Sequence, residues 1–195
     1  MKKKSNKTKK LIEDALIKLM SEKDFEKITV KDLTEKLDIN RGTFYLHFRD
    51  KYDLLEQKEN EILDELHEIL NNELKKLDKG FILPSNKETL QHLFTSVYIY
   101  IKENSDFIKI LLGPNGDLNF QMKLKTFIEN SLANNISINN DIEKMPIKYI
   151  APLASSAQLG IIQKWLRSDM KESPEELSIF ISNVIFLIYN GVIKE

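Results

Sequence analysis

Apolar residues recur at three- and four-residue intervals almost from end to end of this chain, and strict alternation is nearly absent. That period belongs to helices rather than strands. Leu11, Ile12, Ala15, Leu16, Leu19 and Met20 predict a first helix ending near Lys23, with Phe25 and Ile28 in a short connection. Val30, Leu33 and Leu37 mark a two-turn second helix. Thr29 stands before it and Asp32 follows three residues on, so a hydroxyl and a carboxylate can satisfy free amides there. Asp38-Ile39-Asn40 reads as a tight connection, and Asn40 can cap a third short helix from Arg41 to Phe48.

Behind these come longer helices. One runs from about Asp50 to Leu77, with Leu54, Leu55, Ile62, Leu66, Ile69, Leu70 and Leu74 on its apolar face, and Gly80 and Pro84 break it. Others are predicted over Lys87 to Asn104, Asp106 to Leu112 (stopped by Gly113-Pro114) and Leu118 to Leu132. An Asn-rich loop fills 134–141, Pro146 opens a helix through Arg167, and Pro174 opens the last one to about Asn190. The expected class is all-α, with about nine helices.

Composition narrows the chemistry. The chain has 195 residues, 42% hydrophobic and 30% charged, a globular balance. Without cysteine there is no disulfide framework, thiolate nucleophile or thiolate metal site. The basic N-terminus is not followed by a signal-peptide core, because Glu13, Asp14 and Lys18 interrupt Leu11 to Met20. The longest apolar run, Val184 to Tyr189, is too short for a bilayer. A soluble, cytoplasmic protein with no membrane partner is expected.

The net charge of −1 argues against a nucleic-acid binder until it is resolved along the chain. Residues 1–55 hold 14 Lys and Arg against 10 acids, whereas residues 56–195 hold 15 against 20. Six lysines and no acid fall in the first ten residues. A basic end on an acidic body suits a polyanion at one end, although a solubilising Lys-rich tail would look the same.

The segment from Thr29 to Lys51 combines these signals. Two short helices around a turn make a helix-turn-helix, which lays its second helix in the DNA major groove. With Phe44 and Phe48 inward on Leu33 and Leu37, steps of about 100° turn Thr43, Tyr45 and Leu46 outward. Gly42 leaves room for a phosphate or a neighbouring helix, and Arg41, His47 and Lys51 rim the face with donors. Leu46 is the odd member, able to touch only a thymine methyl or a sugar.

These residues closely resemble the TetR family of one-component regulators. The likeness rests on Thr29-Val30-Lys31-Asp32-Leu33, on Asn40-Arg41-Gly42-Thr43-Phe44-Tyr45, and on His47-Phe48 followed by Lys51 and Leu54-Leu55. It covers about residues 8–56. The resemblance implies phosphate contacts from Thr29, Arg41, Gly42, Tyr45, His47 and Lys51, with Thr43 and Leu46 as candidates for base edges. Lys2 to Lys10 would be a flexible arm adding salt-sensitive phosphate affinity. The implied domains are a DNA-binding unit over 1–50 and a helical dimerisation and effector unit over 51–195.

In the last helix Leu177, Phe180, Ile181, Val184, Leu187 and Ile188 form a stripe flanked by Ile179, Ile185, Phe186 and Tyr189. A helix apolar nearly all round needs cover on more than one side, from a partner subunit or from a monomer's own core. The helix before it offers Ala154, Ala157 and Gly160 beside Ile150, Leu153 and Ile161. Doubled by a two-fold axis, the two helices would form a four-helix interface and present paired recognition helices to a palindromic operator. Phe94, Tyr98, Phe107, Phe120, Phe127, Trp165 and Met122 either line a ligand cavity or are plain core. The second half also resembles a Gram-positive subtype that includes activators of dihydroxyacetone kinase operons. It does so through Tyr100-Ile101-Lys102-Glu103-Asn104, Phe107, Leu111-Leu112-Gly113, Gly160, Trp165-Leu166 and Ser173-Pro174-Glu175-Glu176-Leu177.

No enzyme pattern stands out. His47, His67 and His92 lie on three separate helices without metal-ligand spacing, and there is no phosphate loop or nucleophile elbow. No cofactor or metal is expected. The expected function is a DNA-binding regulator, a repressor released by a small ligand. The alternatives are an adaptor or activator whose C-terminal half binds a protein, and a helical ligand-binding protein without DNA activity.

Overall fold

Ile12, Ala15, Leu16 and Leu19 line one stripe of a helix, and all four are buried in the computed structural model. The structure describes residues 2–75, 87–114, 116–135 and 149–192, with side chains over 7–75, 87–114, 116–133 and 149–187. Among these residues there are nine α-helices and no strand: α1 (Lys2–Glu22), α2 (Val30–Leu37), α3 (Arg41–Tyr45), α4 (Lys51–Lys75), α5 (Lys87–Glu103), α6 (Ser105–Leu111), α7 (Leu118–Asn135), α8 (Ile150–Arg167) and α9 (Pro174–Val192). A 3-10 turn, Phe25–Lys27, joins α1 to α2. The chain divides into two compact units, Met1–Ile62 with Pro114–Gly116, and Leu63–Gly113 with Asp117–Glu195.

In the first unit α2 packs on α1 and α3 packs on α2. Leu33, Phe44, Phe48, Leu54 and Ile28 are buried there. In the second unit α5 lies along α9 and α7 along α8, with α6 against α5, α7 and α8. Small polar residues are tolerated in that core because each has a partner. The Ser178 and Thr95 hydroxyls are 2.7 Å apart, and Ser182 Oγ donates to the Ser178 carbonyl at 2.7 Å. Ser155 donates to Glu129 at 2.8 Å, tying α8 to α7. Trp165 meets Tyr98 edge-on at 5.3 Å and donates its indole N–H to the Glu172 carbonyl at 2.9 Å. Ser173 and Glu176 cap α9 reciprocally, ahead of Pro174 at its first position.

Several boundaries differ from expectation. The basic segment Lys2 to Lys10 is not a loose arm but the start of α1. No Gly or Pro interrupts 2–22, and lysine is a good helix former. α3 ends at Tyr45 rather than Phe48, because the chain turns there to enter α4. Asp50 caps that helix by accepting from the amides of Tyr52 and Asp53, each at 2.8 Å. Leu77, Gly80, Pro84, Pro146 and most of the Asn-rich loop lie outside the described residues, where α8 begins at Ile150.

The connection between α2 and α3 turns on Asp38, which adopts a left-handed backbone at φ 52°. Two costs meet there: a side chain in a region that favours glycine, and a carboxylate at a helix C-terminus. Asp38→Gly should therefore stabilise the protein by about 1 kcal/mol, read as a higher urea midpoint with an unchanged slope.

Candidate nucleic-acid interface

The helix-turn-helix is held at both of its helix starts by side-chain caps. Thr29 Oγ1 accepts from the Asp32 amide at 3.1 Å, and Asp32 Oδ2 accepts from the Thr29 amide at 2.7 Å. The Thr29 hydroxyl also donates to that oxygen at 2.8 Å, and Lys23, just past the end of α1, reaches it at 2.9 Å. The Lys23 ammonium, aided by the Thr29 hydroxyl and amide, lowers the Asp32 pKa to about 2. Thr29 is thus exposed while its hydroxyl is already engaged by the cap. At α3, Asn40 Oδ1 accepts from the Thr43 amide at 2.8 Å and the Thr43 hydroxyl at 3.1 Å. A Cβ on Gly42 would sit 3.1 Å from that same oxygen, so a larger residue would press on the cap.

Burial then decides what α3 displays. Phe44 and Phe48 are 0% and 2% exposed, with ring centroids 5.7 Å apart. On the opposite side Tyr45 is 54% exposed and Leu46 82%. Arg41 and Gly42 are exposed as well, and Thr43 and His47 are half-buried. Lys9 on α1 places its ammonium 5.8 Å from the Phe48 ring, beside the end of this segment.

Lys51 is held differently from a rim donor. Its ammonium donates to the Phe25 and Glu26 carbonyls, each at 2.9 Å. It also lies 4.7 Å from the Phe25 ring and 5.0 Å from the Tyr52 ring, while Tyr52 donates to Glu26 at 2.8 Å. The side chain therefore fastens the start of α4 to the 3-10 turn. As the first residue of α4, Lys51 also carries a first-turn amide, a group to which helix geometry gives no intrahelical partner. Nothing in the sequence pattern points to this aromatic and carbonyl cage, since its halves are some 26 positions apart.

Most cations with described side chains in residues 7–62 are paired. Lys23, Lys27, Lys31, Lys36, Arg49 and Lys58 each lie within 4.0 Å of a carboxylate, as do Lys9 and Lys51. Among described side chains of residues 7–62, Lys7, Lys10, Lys18 and Arg41 have no such partner. Arg41 is the one on α3.

The candidates in the second unit divide by exposure. Tyr98, Phe107, Phe120 and Trp165 are each 2% exposed or less, whereas Phe94 and Phe127 are half-buried and Met122 is exposed. Tyr98 donates to Gln158 at 3.1 Å, and burial pushes its phenol above the ordinary range. On α9, Leu177 and Ile181 are buried while Phe180, Val184 and Leu187 stand out; the Ile188 side chain lies outside the described ones. On α8, Leu153, Ala157 and Gly160 are exposed, Ala154 and Ile161 half-buried, and a Cβ on Gly160 would meet nothing within 4 Å.

Two family models match this chain. Residues 12–57 match the model for bacterial regulatory proteins of the tetR family, and residues 88–187, half of the chain, match a transcriptional regulator C-terminal region from the same group. The chain belongs to the TetR family of transcriptional regulators. This TetR-family chain is 25% identical over 169 residues to the HTH-type transcriptional regulator YxbF of Bacillus subtilis strain 168, covering 86% of itself and 42% of that relative. It therefore spans less than half of that relative's length. In fold it resembles the dihydroxyacetone kinase operon activator DhaS, with 22% identity, 96% of each chain covered and a TM-score of 0.60. It also resembles the regulator FadR from Bacillus subtilis, solved with stearoyl-CoA, with 14% identity, 91% and 95% coverage and a TM-score of 0.55. Among the described residues no helix is long and apolar enough to cross a membrane.

The Asp32 cap of this TetR-family unit has a pH signature. A carboxylate whose pKa is lowered on folding stabilises above its ordinary value of 3.8 and loses that contribution as the pH falls toward about 2. Asp32→Ala should lower stability by about 1 kcal/mol at pH 7, with solvent screening keeping the figure modest. The gap to the parent chain should narrow steadily between pH 5 and pH 2.5 in urea titrations.

Proposed function

We propose that this chain is a dimeric, DNA-binding repressor that a small molecule releases from a palindromic operator. One observation carries the DNA-reading part: α3 and the turn after it bury Phe44 and Phe48 and leave Arg41, Gly42, Tyr45 and Leu46 exposed to solvent. Residues 1–50 do the reading in this proposal, and residues 51–195 dimerise and respond. Arg41, the Tyr45 hydroxyl, His47, the Gly42 backbone and the turn around Thr29 meet phosphates, and Thr43 and Leu46 meet base edges. Lys51 contributes its amide rather than its ammonium, at a helix start that favours anions.

Dimerisation is supported by the apolar surface left on α8 and α9. On α9 Phe180 is 57% exposed and Leu187 70%; on α8 Leu153 is 70% exposed, and a Cβ on Gly160 would meet nothing within 4 Å. Ala154, Ala157, Ile161, Val184 and Ile188 complete the proposed seam. A second copy is the simplest cover for helices that already bury another face in their own unit. Such a dimer works in the cytoplasm and performs no catalysis.

A second reading of the effector is favoured by one observation. Four of the six aromatic candidates are packed rather than lining open space, and a responder to a protein partner needs no cavity. Ligand screening against both a small-metabolite set and protein pull-down separates the two.

The central experiment selects genomic fragments with the full chain and measures affinity against salt. An inverted repeat, bound more weakly as salt rises, is the expected result. Arg41→Ala should lower the slope of log affinity against log salt by about 0.9 for each phosphate that the guanidinium neutralises, while Lys51→Met leaves that slope alone and lowers the unfolding midpoint. Equal slopes for the parent and Arg41→Ala would remove Arg41 from the interface. Phe180→Glu should convert dimer to monomer in light scattering; an unchanged mass would place the seam elsewhere.

A further inference from the structure

The outermost side chain of the recognition helix is aliphatic. Leu46 is 82% exposed, more than any other large hydrophobic residue described in this chain. It closes α3 in helical geometry, its amide donating to the Gly42 carbonyl at 3.1 Å. Leu46 and Gly42 are one turn apart, so they share the stripe that faces away from Phe44. Helical side chains lean toward the N-terminus, and Leu46 therefore lies over the turn that Gly42 occupies. Gly42 puts no side chain in its way, and the nearest group there is the Asn40 cap. The most forward strip of α3 is thus one leucine on a cleared backbone, with Tyr45 and Arg41 beside it.

Folding gives no reason for this leucine, since it touches no core. An aliphatic tip cannot exchange hydrogen bonds, so it cannot tell guanine, cytosine or adenine by their donors and acceptors. One base presents it with an apolar feature in the major groove, the 5-methyl group of thymine. We propose that Leu46 is a specificity-determining residue that reads a thymine methyl in each half-site. This rests on α3 being the DNA-reading helix. It assigns one contact within that face a chemical identity.

The test uses the full chain and an operator selected with it, in which each thymine in turn is replaced by deoxyuridine. Uracil keeps every hydrogen-bonding group and every phosphate and removes only the methyl. One thymine per half-site should be sensitive, its replacement weakening the parent chain about fourfold, the value of one buried methyl. Leu46→Ala should bind thymine and uracil operators equally, with an unchanged salt slope and unfolding midpoint. Leu46→Gln, which offers an amide instead, should shift the preferred base at that position toward adenine. Arg41→Ala should keep the uracil penalty.

A penalty that persists in Leu46→Ala, or no sensitive thymine at all, would overturn the assignment while leaving the interface standing; the second result would point to an apolar sugar contact. Failure of the parent chain to select any sequence would overturn interface and assignment together.

Discussion

A five-residue helix is not stable alone, and all DNA reading proposed for this chain depends on α3 existing. One turn gains too few hydrogen bonds to offset its nucleation cost. α3 is stable because Phe44 and Phe48 are taken fully out of water and because Asn40 holds the Thr43 amide. Each buried phenylalanine contributes roughly 1.5–3 kcal/mol against exposure, far more than the cap. The same two anchors set the rotation of the helix, and rotation alone decides which residues meet solvent. Arg41, Tyr45 and Leu46 are displayed because the phenylalanines are not.

That display needs fixed surroundings, and charge supplies much of the fixing. Lys23 reaches from the bend after α1 to the Asp32 carboxylate that caps α2. Lys51 ties the start of α4 to the carbonyls of the 3-10 turn, with two aromatic rings against the ammonium. Both lysines act as internal fasteners. With a 12% exposed side chain and two carbonyl partners, the Lys51 ammonium would have to give up those contacts to turn to a phosphate.

This is where the sequence was legible and where it was not. The apolar stripes of α1, α2 and the later helices, the Thr29–Asp32 cap, the Asn40 cap and the inward Phe44–Phe48 pair follow from local spacing, and local spacing is visible in a string of letters. The cage around Lys51 is not, because Phe25 and Tyr52 are brought together only by the fold. Nor is the helical start of α1: six lysines suggest a solvated arm until the absence of any helix breaker is weighed. In α9 the pattern showed apolar residues on nearly every side. Only the packing separates Leu177 and Ile181, buried against their own unit, from Phe180, Val184 and Leu187, which are not. Small hydroxyl residues such as Ser178 and Ser182 read as polar, yet they are fully buried with partners.

The net charge of −1 looks like an obstacle to DNA binding and is not one. Charges interact across only about 8 Å at physiological salt, so a phosphate feels the groups beside it and not the total. Locally the balance is subtler than the basic N-terminus suggests. Most lysines with described side chains in residues 7–62 already face a carboxylate within 4.0 Å, and Arg41 is the unpaired cation of α3. With part of its charge already paired internally, the proposed face would draw the rest of its affinity from fitted neutral contacts. Tyr45, Thr43 and Leu46 are the groups available for that. In the proposal, phosphate attraction falls to the cations left unpaired, Arg41 among them, and is the part that salt weakens. Discrimination, in the same proposal, comes from contacts to base edges rather than to phosphates, and an exposed aliphatic tip such as Leu46 is suited to one of them.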